Sequence, residues 1–381
     1  MRNSIFSKIV SLTVAFAFGL PQLGFAQSTT IAIDSSASQK PTIGQSSSGK
    51  PTINIVTPNA GVSVNKFTDF HIGTNGVVIN NSAANVLTKT GGTVTGNANL
   101  KTSGAANVIV NQIRGAKSKL QGQAEVAGTK AQVIIANPNG IDCDDCSFVN
   151  SGKTTLTTGT PTQIGGGVGI AVNGGVVSIG KGGVRADGDL TISGRHVLLD
   201  GATSSAGDLS IYGGTHAIDP ATGVSTAAAI QTSRILPYAV DATELGAMSG
   251  GNIRIIGNEA GLGVRLLGNV IATKDISISS AGSATIKNVR AGGAVTAKAV
   301  DGLKQYGDVQ AERSVTIGGK DVYVPGGRSV KAGTTAKIDA TNNATIGGTV
   351  NASEVAITST GDAQNTGSLA AINGATVRFL V

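Results

Sequence analysis

Gly188-Asp189-Leu190-Thr191-Ile192 returns nineteen residues on as Gly207-Asp208-Leu209-Ser210-Ile211. The same polar-apolar alternation recurs as Asn252-Ile253-Arg254-Ile255, Asp275-Ile276-Ser277-Ile278, Gly293-Ala294-Val295-Thr296-Ala297 and Ser314-Val315-Thr316-Ile317. It continues as Thr335-Ala336-Lys337-Ile338, Glu354-Val355-Ala356-Ile357 and Thr376-Val377-Arg378-Phe379. From Ile278 the last apolar residues step through Ala297, Ile317, Ile338, Ile357 and Phe379 at 19, 20, 21, 19 and 22 residues. Ile211 to Ile255 is 44, which reads as two turns of 22. A period near 20 with short strands, glycine corners and no helical periodicity is the signature of a stacked solenoid. The predicted fold class is all-β, a parallel β-helix. In such a coil like residues stack at about 4.8 Å per turn, with backbone hydrogen bonds running between turns. The competing arrangement is an antiparallel sandwich with coincidental spacing.

Upstream of the repeats, short β-type runs alternate with Gly, Asn and Asp turns from Pro51 onward. Examples are Thr52-Ile53-Asn54-Ile55-Val56, Gly76-Val77-Val78-Ile79-Asn80, Asn107-Val108-Ile109-Val110-Asn111 and Gln132-Val133-Ile134-Ile135-Ala136. No segment keeps a 3.6-residue apolar period for three turns, which argues against βαβ folds. Gln27 to Lys50 is Ser/Thr/Gln-rich and reads as a flexible lead-in over 27–50. The stretch from Gly213 to Met248 breaks the period and carries Pro220, Pro237 and Tyr238, so a loop excursion is expected over 213–248 within repeats that span 186–381.

Composition agrees with this picture. The chain has 381 residues, 55 of them Gly, with 3% aromatics, 13% charged residues, two Cys and no Trp. A hydrophobic share of 40% excludes a disordered chain, and two cysteines exclude a disulfide scaffold. A narrow solenoid interior filled by Val, Ile, Ala and Thr has little room for Trp. Met1 to Ala26 reads as a secretory signal peptide, 1–26. Arg2 and Lys8 precede an apolar run from Ile9 to Leu20, and Gly24-Phe25-Ala26 places cleavage between Ala26 and Gln27. The apolar run is shorter than the roughly 20 residues that span a bilayer. Removing Arg2 and Lys8 lowers the net charge from +7 to +5. The remaining Lys and Arg are scattered, so no nucleic-acid partner is expected.

The candidates for chemistry are few. Asn137-Pro138-Asn139-Gly140-Ile141 reads as a tight double turn, since Pro fixes φ and Asn or Gly accepts the left-handed region. Asp142, Asp144 and Asp145 lack the further spaced ligands of a calcium loop. Cys143 and Cys146 form a CxxC pair that could be a redox motif, half a zinc site or a small disulfide. His71, His196 and His216 are isolated, so zinc lacks a second ligand pair, and an oxidising compartment favours the disulfide. There is no Gly-x-Ser-x-Gly elbow and no His-Glu-x-x-His. Phosphate-loop spacing around Gly49-Lys50 and Gly152-Lys153-Thr154 fails at Pro51 and Ser147. No catalytic residues, cofactor or metal are assigned.

Residues from about Pro51 to Gly183 nevertheless resemble the secretion domain of filamentous haemagglutinin-like exoproteins of two-partner secretion systems, giving a domain expected over 51–185. The resemblance rests on Val64-Asn65-Lys66-Phe67-Thr68-Asp69-Phe70, on Gly76 to Ser82 and on Leu120-Gln121-Gly122-Gln123-Ala124-Glu125-Val126-Ala127-Gly128. Asn137-Pro138-Asn139-Gly140-Ile141, Cys143 to Asn150 and Leu156-Thr157-Thr158-Gly159-Thr160-Pro161 complete the ordered set. A second stretch from Leu245 through Asn252–Gly257 to Gly261-Leu262-Gly263-Val264-Arg265 is similar to the segment downstream of that domain in adhesins and contact-dependent inhibition exoproteins. One departure stands out. The family's Asn-Pro-Asn-Leu motif reads here as Asn97-Ala98-Asn99-Leu100, and without proline φ is not fixed. Recognition by the transporter is then expected either to be weaker or to rest more on the second motif.

The resemblance implies a right-handed parallel β-helix with a capped N-terminal secretion domain, in a chain that crosses the periplasm largely unfolded and is recognised by an outer-membrane β-barrel transporter. The residues it implies for recognition are Asn97, Asn99, Leu100, Asn137, Pro138, Asn139, Gly140 and Ile141. It implies a secreted or surface adhesin that is not an enzyme, with a host-cell or cell-surface glycan as receptor. The alternatives are the N-terminal stalk of a contact-dependent inhibition toxin or cytolysin, and an exported β-helical carbohydrate-active enzyme. Repeats running to Phe379-Leu380-Val381 without a polar cap read as a short or truncated exoprotein.

Overall fold

In the computed structural model of the chain, the described residues are 28–218, 225–227, 237–373 and 375–379. The expected signal peptide and its cleavage point at Ala26 and Gln27 lie outside them. Nearly all regular structure is β, and one 35-stranded sheet winds through the chain as a β-solenoid of about 12 turns. Each turn presents three faces. In the fourth turn these are Cys146–Val149, Ser151–Thr157 and Val176–Ile179, and each strand pairs in parallel with the strand one turn below and one turn above. Parallel pairing throughout the stack excludes the antiparallel sandwich.

Alternation explains which side chains fill the interior. In Ile276–Ser280, Ile276, Ile278 and Ser280 are buried while Ser277 and Ser279 face out. Stacking places Ile192, Ile211, Ile255, Ile278, Ala297, Ile317, Ile338 and Ile357 in one column along the second face. Each buried Ile contributes about 2–3 kcal/mol by leaving water. Glycines at the corners let one turn close on another. A Cβ on Gly122 would fall on the carbonyl oxygen of Gly73, and one on Gly201 on that of Gly180.

Four expectations need correction. Residues 28–50 are not a loose lead-in: Thr30–Ile33 pairs antiparallel with Val62–His71, and Thr42–Gln45 pairs antiparallel with Pro51–Asn54. These strands cap the first turn, whose open edge would otherwise carry unpaired backbone groups; Ile31 and Ile33 pack on the core. The 44 residues from Ile211 to Ile255 make one turn, because Ile211 and Ile255 are direct neighbours in register. The excess is the excursion, which ends earlier than 248: Tyr238–Ala242 is already back in the solenoid, paired with His196–Leu199. At the last repeat Val377, not Phe379, stands in register with Ile357.

The excursion also builds something. Its described strands His216–Ile218 and Ser225–Ala227 join Thr160–Ile164 and Gly167–Val172 in a separate four-stranded antiparallel sheet. Ile170 and Val172 of that sheet pack on Val62, Val108, Val110, Ile134 and Ala136, on the outer side of the early turns. Strands there are buried on both sides, which is why Val133 to Ala136 reads as a continuous apolar run.

Candidate functional site

The two asparagine motifs share one local construction. Asn137 follows Ala131–Ala136 at the corner between the second and third faces, and its Oδ1 accepts the backbone N–H of Asn139 at 2.9 Å. Its Nδ2 donates to the carbonyl of Ala116 at 2.8 Å and to Ser118 Oγ at 3.0 Å. Asn139 Nδ2 donates to the carbonyls of Arg114 and Gly115 at 3.1 and 2.6 Å. Gly140 closes the turn with φ +111°, where a side chain would strain the backbone. Each amide thus joins this corner to the corner one turn below.

Asn97 repeats the construction at a different corner, between the first and second faces. Its Oδ1 accepts the N–H of Asn99 at 3.1 Å, and it caps the single 3-10 turn Ala98–Leu100. Its Nδ2 donates to the carbonyls of Ile55 and Asn80 at 2.9 and 3.3 Å, and Asn99 Nδ2 donates to Ile55 at 3.0 Å. The turn is held by the side-chain cap at both motifs, which accounts for the tolerance of Ala98 where the family has proline. Asn97, Leu100, Asn137, Gly140 and Ile141 are buried, whereas Ala98, Pro138 and Asn139 are exposed and Asn99 is half-buried. The fold does not bring the two motifs into one patch. Within the folded solenoid their first asparagines fasten turns and offer nothing to an outside partner.

Cys143 and Cys146 form a disulfide across the corner from the third to the first face, with Asp145 in the left-handed region at φ 63°. The acidic residues around it are separately engaged. Lys117 Nζ lies 3.1 Å from Asp142, the N–H of Gly182 donates to Asp144 at 2.6 Å, and Arg185 lies 2.9 Å from Asp145. Among the described residues no three His, Cys, Asp or Glu side chains gather to hold a metal ion.

Two buried polar clusters escaped the reading of the sequence, because their members lie far apart in it. Arg195 grips Glu259 through Nε and Nη2 at 3.1 and 2.9 Å, with both side chains almost fully buried. Glu259 also accepts the N–H of Thr215 at 3.2 Å, which pins the root of the excursion. Beside it, Ser193 Oγ lies 2.8 Å from His216 Nε2. His216 Nδ1 lies 2.7 Å from the carbonyl of Gly214; a carbonyl only accepts, so Nδ1 carries the proton and Nε2 accepts from Ser193. Burial lowers the His216 pKa to about 4. A serine and a neutral imidazole in contact are the elements of a nucleophile and its base. Both are fully buried, so no substrate reaches them.

Comparison with known proteins now bears on this architecture. The TPS secretion domain family model matches residues 29–286. Over 279 residues the chain is 37% identical to filamentous hemagglutinin of Bordetella pertussis, a match covering 71% of this chain and 8% of that protein. It is 35% identical over 350 residues to a tRNA nuclease CdiA of Escherichia coli, covering 84% of this chain and 11% of that protein. The chain therefore spans about a tenth of the length of these relatives, and the nuclease in the second name belongs to that whole protein. A crystal structure of the filamentous hemagglutinin secretion domain superposes with a TM-score of 0.67 at 31% identity, covering 82% of this chain and all of that one.

Proposed function

This chain belongs to the TPS secretion domain family, and from that premise we propose that residues 29–286 direct it through a partner outer-membrane β-barrel transporter to the cell surface or the medium. The observation that carries the proposal is the family match across 29–286 together with the hemagglutinin secretion-domain likeness. The protein is an adhesin-type exoprotein, structural and binding in role, with a host or cell-surface glycan as receptor. Equal likeness to CdiA relatives supports a second reading, the stalk of a contact-dependent inhibition toxin.

The asparagine motifs act twice in this account. On the unfolded chain, Asn97, Asn99 and Leu100, with Asn137 through Ile141, form local turns that the transporter reads. Once outside, the same amides bond each corner to the turn beneath. Folding then proceeds from the N-terminal cap, each emerging turn stacking on the last, since a solenoid propagates between nearest neighbours. That stacking biases the chain outward without a nucleotide.

The test separates the two roles. Asn137→Ala and Asn139→Ala are expected to lose export by a cognate transporter, whereas Ser118→Ala, which removes only a folded-state partner of Asn137, exports normally. Normal secretion of Asn137→Ala, or an equal loss in Ser118→Ala, contradicts recognition through the motif.

A further inference from the structure

A groove of about 590 Å³ runs along the outer surface of the third face in the C-terminal half, away from both asparagine motifs. One wall is a ladder of outward side chains, Thr285, Lys304, Tyr323 and Thr345, neighbours in register from turn to turn. Three steps of about 4.8 Å make the ladder roughly 14 Å long. The other wall is the corner that carries Asp301 and Asp321. Between them Gly302, aligned with Asp321, leaves the floor without a side chain.

Two tyrosines line the groove, Tyr238 at one end and Tyr323 one turn short of the other. The Tyr238 ring is covered on one side by the Arg265 guanidinium at 4.5 Å, itself held by Asp241 through two 2.7 Å bonds. Tyr323 is 40% exposed. The whole chain has only four Tyr, and the register neighbours of Tyr323 are Lys304 and Thr345. The solenoid therefore has no packing need for an aromatic ring there. Asp301 and Lys304 have no ion-pair partner among the described residues. Asp321 accepts from the Asn342 side chain and the Asn343 N–H through one oxygen, which leaves the other open.

We propose that this groove binds a short neutral oligosaccharide. A sugar ring has apolar C–H faces and a polar hydroxyl rim, which a tyrosine platform beside carboxylate and ammonium groups matches. Carboxylates along one wall disfavour an acidic polysaccharide or nucleic acid. A peptide strand is disfavoured too, because the backbone groups of this face are already paired between turns. The site deepens the adhesin reading and rests on it for its biological sense, though not for its geometry.

Purified chain is titrated with a panel of neutral tetrasaccharides: β-1,4-glucan, β-1,4-linked N-acetylglucosamine, α-1,4-glucan and a galactose-terminated lacto-tetraose. A heparin tetrasaccharide serves as the acidic comparison. With no Trp in the chain, tyrosine emission reports the groove alongside calorimetry. Saturable binding of a neutral probe is expected, weakened about tenfold or more by Tyr323→Ala and by Asp301→Ala. Tyr323→Phe keeps it, and so does Tyr306→Ala, whose ring is exposed outside the groove. No binding by any neutral probe at millimolar concentration, preference for the heparin fragment, cleavage of the probe, or indifference to Tyr323→Ala overturns the proposal. Cell adhesion that survives Tyr323→Ala refutes this site and leaves the adhesin reading standing. Loss of that reading would instead show as no adhesion by the unmodified chain.

Discussion

Replacing Asn137 by alanine tests the corner construction most sharply. The side chain is fully buried and makes three hydrogen bonds, one from the Asn139 N–H and two to Ala116 and Ser118. Truncation leaves the Asn139 amide and the Ala116 carbonyl without partners, and the Ser118 hydroxyl loses a donor. At about 1 kcal/mol for each bond, the local cost is about 3 kcal/mol. Asn139 is exposed, and water replaces its two bonds, so Asn139→Ala costs about 1 kcal/mol. Asn137→Asp keeps the acceptor for Asn139 but sets a buried carboxylate against the Ala116 carbonyl, and it should be at least as damaging as alanine. Because solenoid turns open locally, native-state hydrogen exchange at the amides of Asn139, Gly140 and Ser118 is the suitable readout. A loss of about 3 kcal/mol raises exchange on the order of 100-fold at these sites. Exchange within threefold of the parent, or a larger effect from Asn139→Ala than from Asn137→Ala, would refute the reasoning.

Other consequences follow from the packing and the charges. His216 has a folded pKa of about 4 against an ordinary 6.5, so its contribution is complete above about pH 6.5 and declines as pH falls, levelling below 4 after a loss of about 3 kcal/mol. Unfolding midpoints between pH 7.5 and 4 should show that slope in the parent chain and a flatter one in His216→Gln. The Cys143–Cys146 disulfide closes a loop of sequence separation 3, so the double serine variant should lose only about 2 kcal/mol by chemical denaturation and export normally. Ile317→Ala opens a cavity in the column between Ala297 and Ile338 and should cost about 3 kcal/mol. The loss should appear as increased hydrogen exchange in those turns while the N-terminal turns keep their protection.

Alternation and period made the solenoid legible, because inward positions repeat every turn and only small aliphatics fit them. Spacing alone does not tell two short turns from one turn with an excursion, so the 44-residue interval reads as two turns although Ile211 and Ile255 are neighbours in register. Taking the last apolar residue of each signature as the marker places the last repeat at Phe379, although pairing in register aligns Val377 with Ile357. The cap strands were hidden for a different reason. Thr30–Ile33 and Thr42–Gln45 are short and polar-rich, and they are held by antiparallel partners rather than by a hydrophobic pattern of their own. Both asparagine motifs were visible as turns, but that their amides bond the turn below required the stack. Arg195 with Glu259, Ser193 with His216, and the Tyr238–Tyr323 groove join residues from different turns, and such pairings carry no local signal.

The central claim is export directed by the N-terminal domain through a dedicated transporter. Residues 1–286, comprising the signal peptide read at 1–26 and the matched domain, should be expressed with and without a cognate outer-membrane transporter, and the protein in the medium measured against that in the periplasm. The account predicts release only when the transporter is present. Equal release in its absence, or retention in the periplasm beside a working transporter, would contradict it.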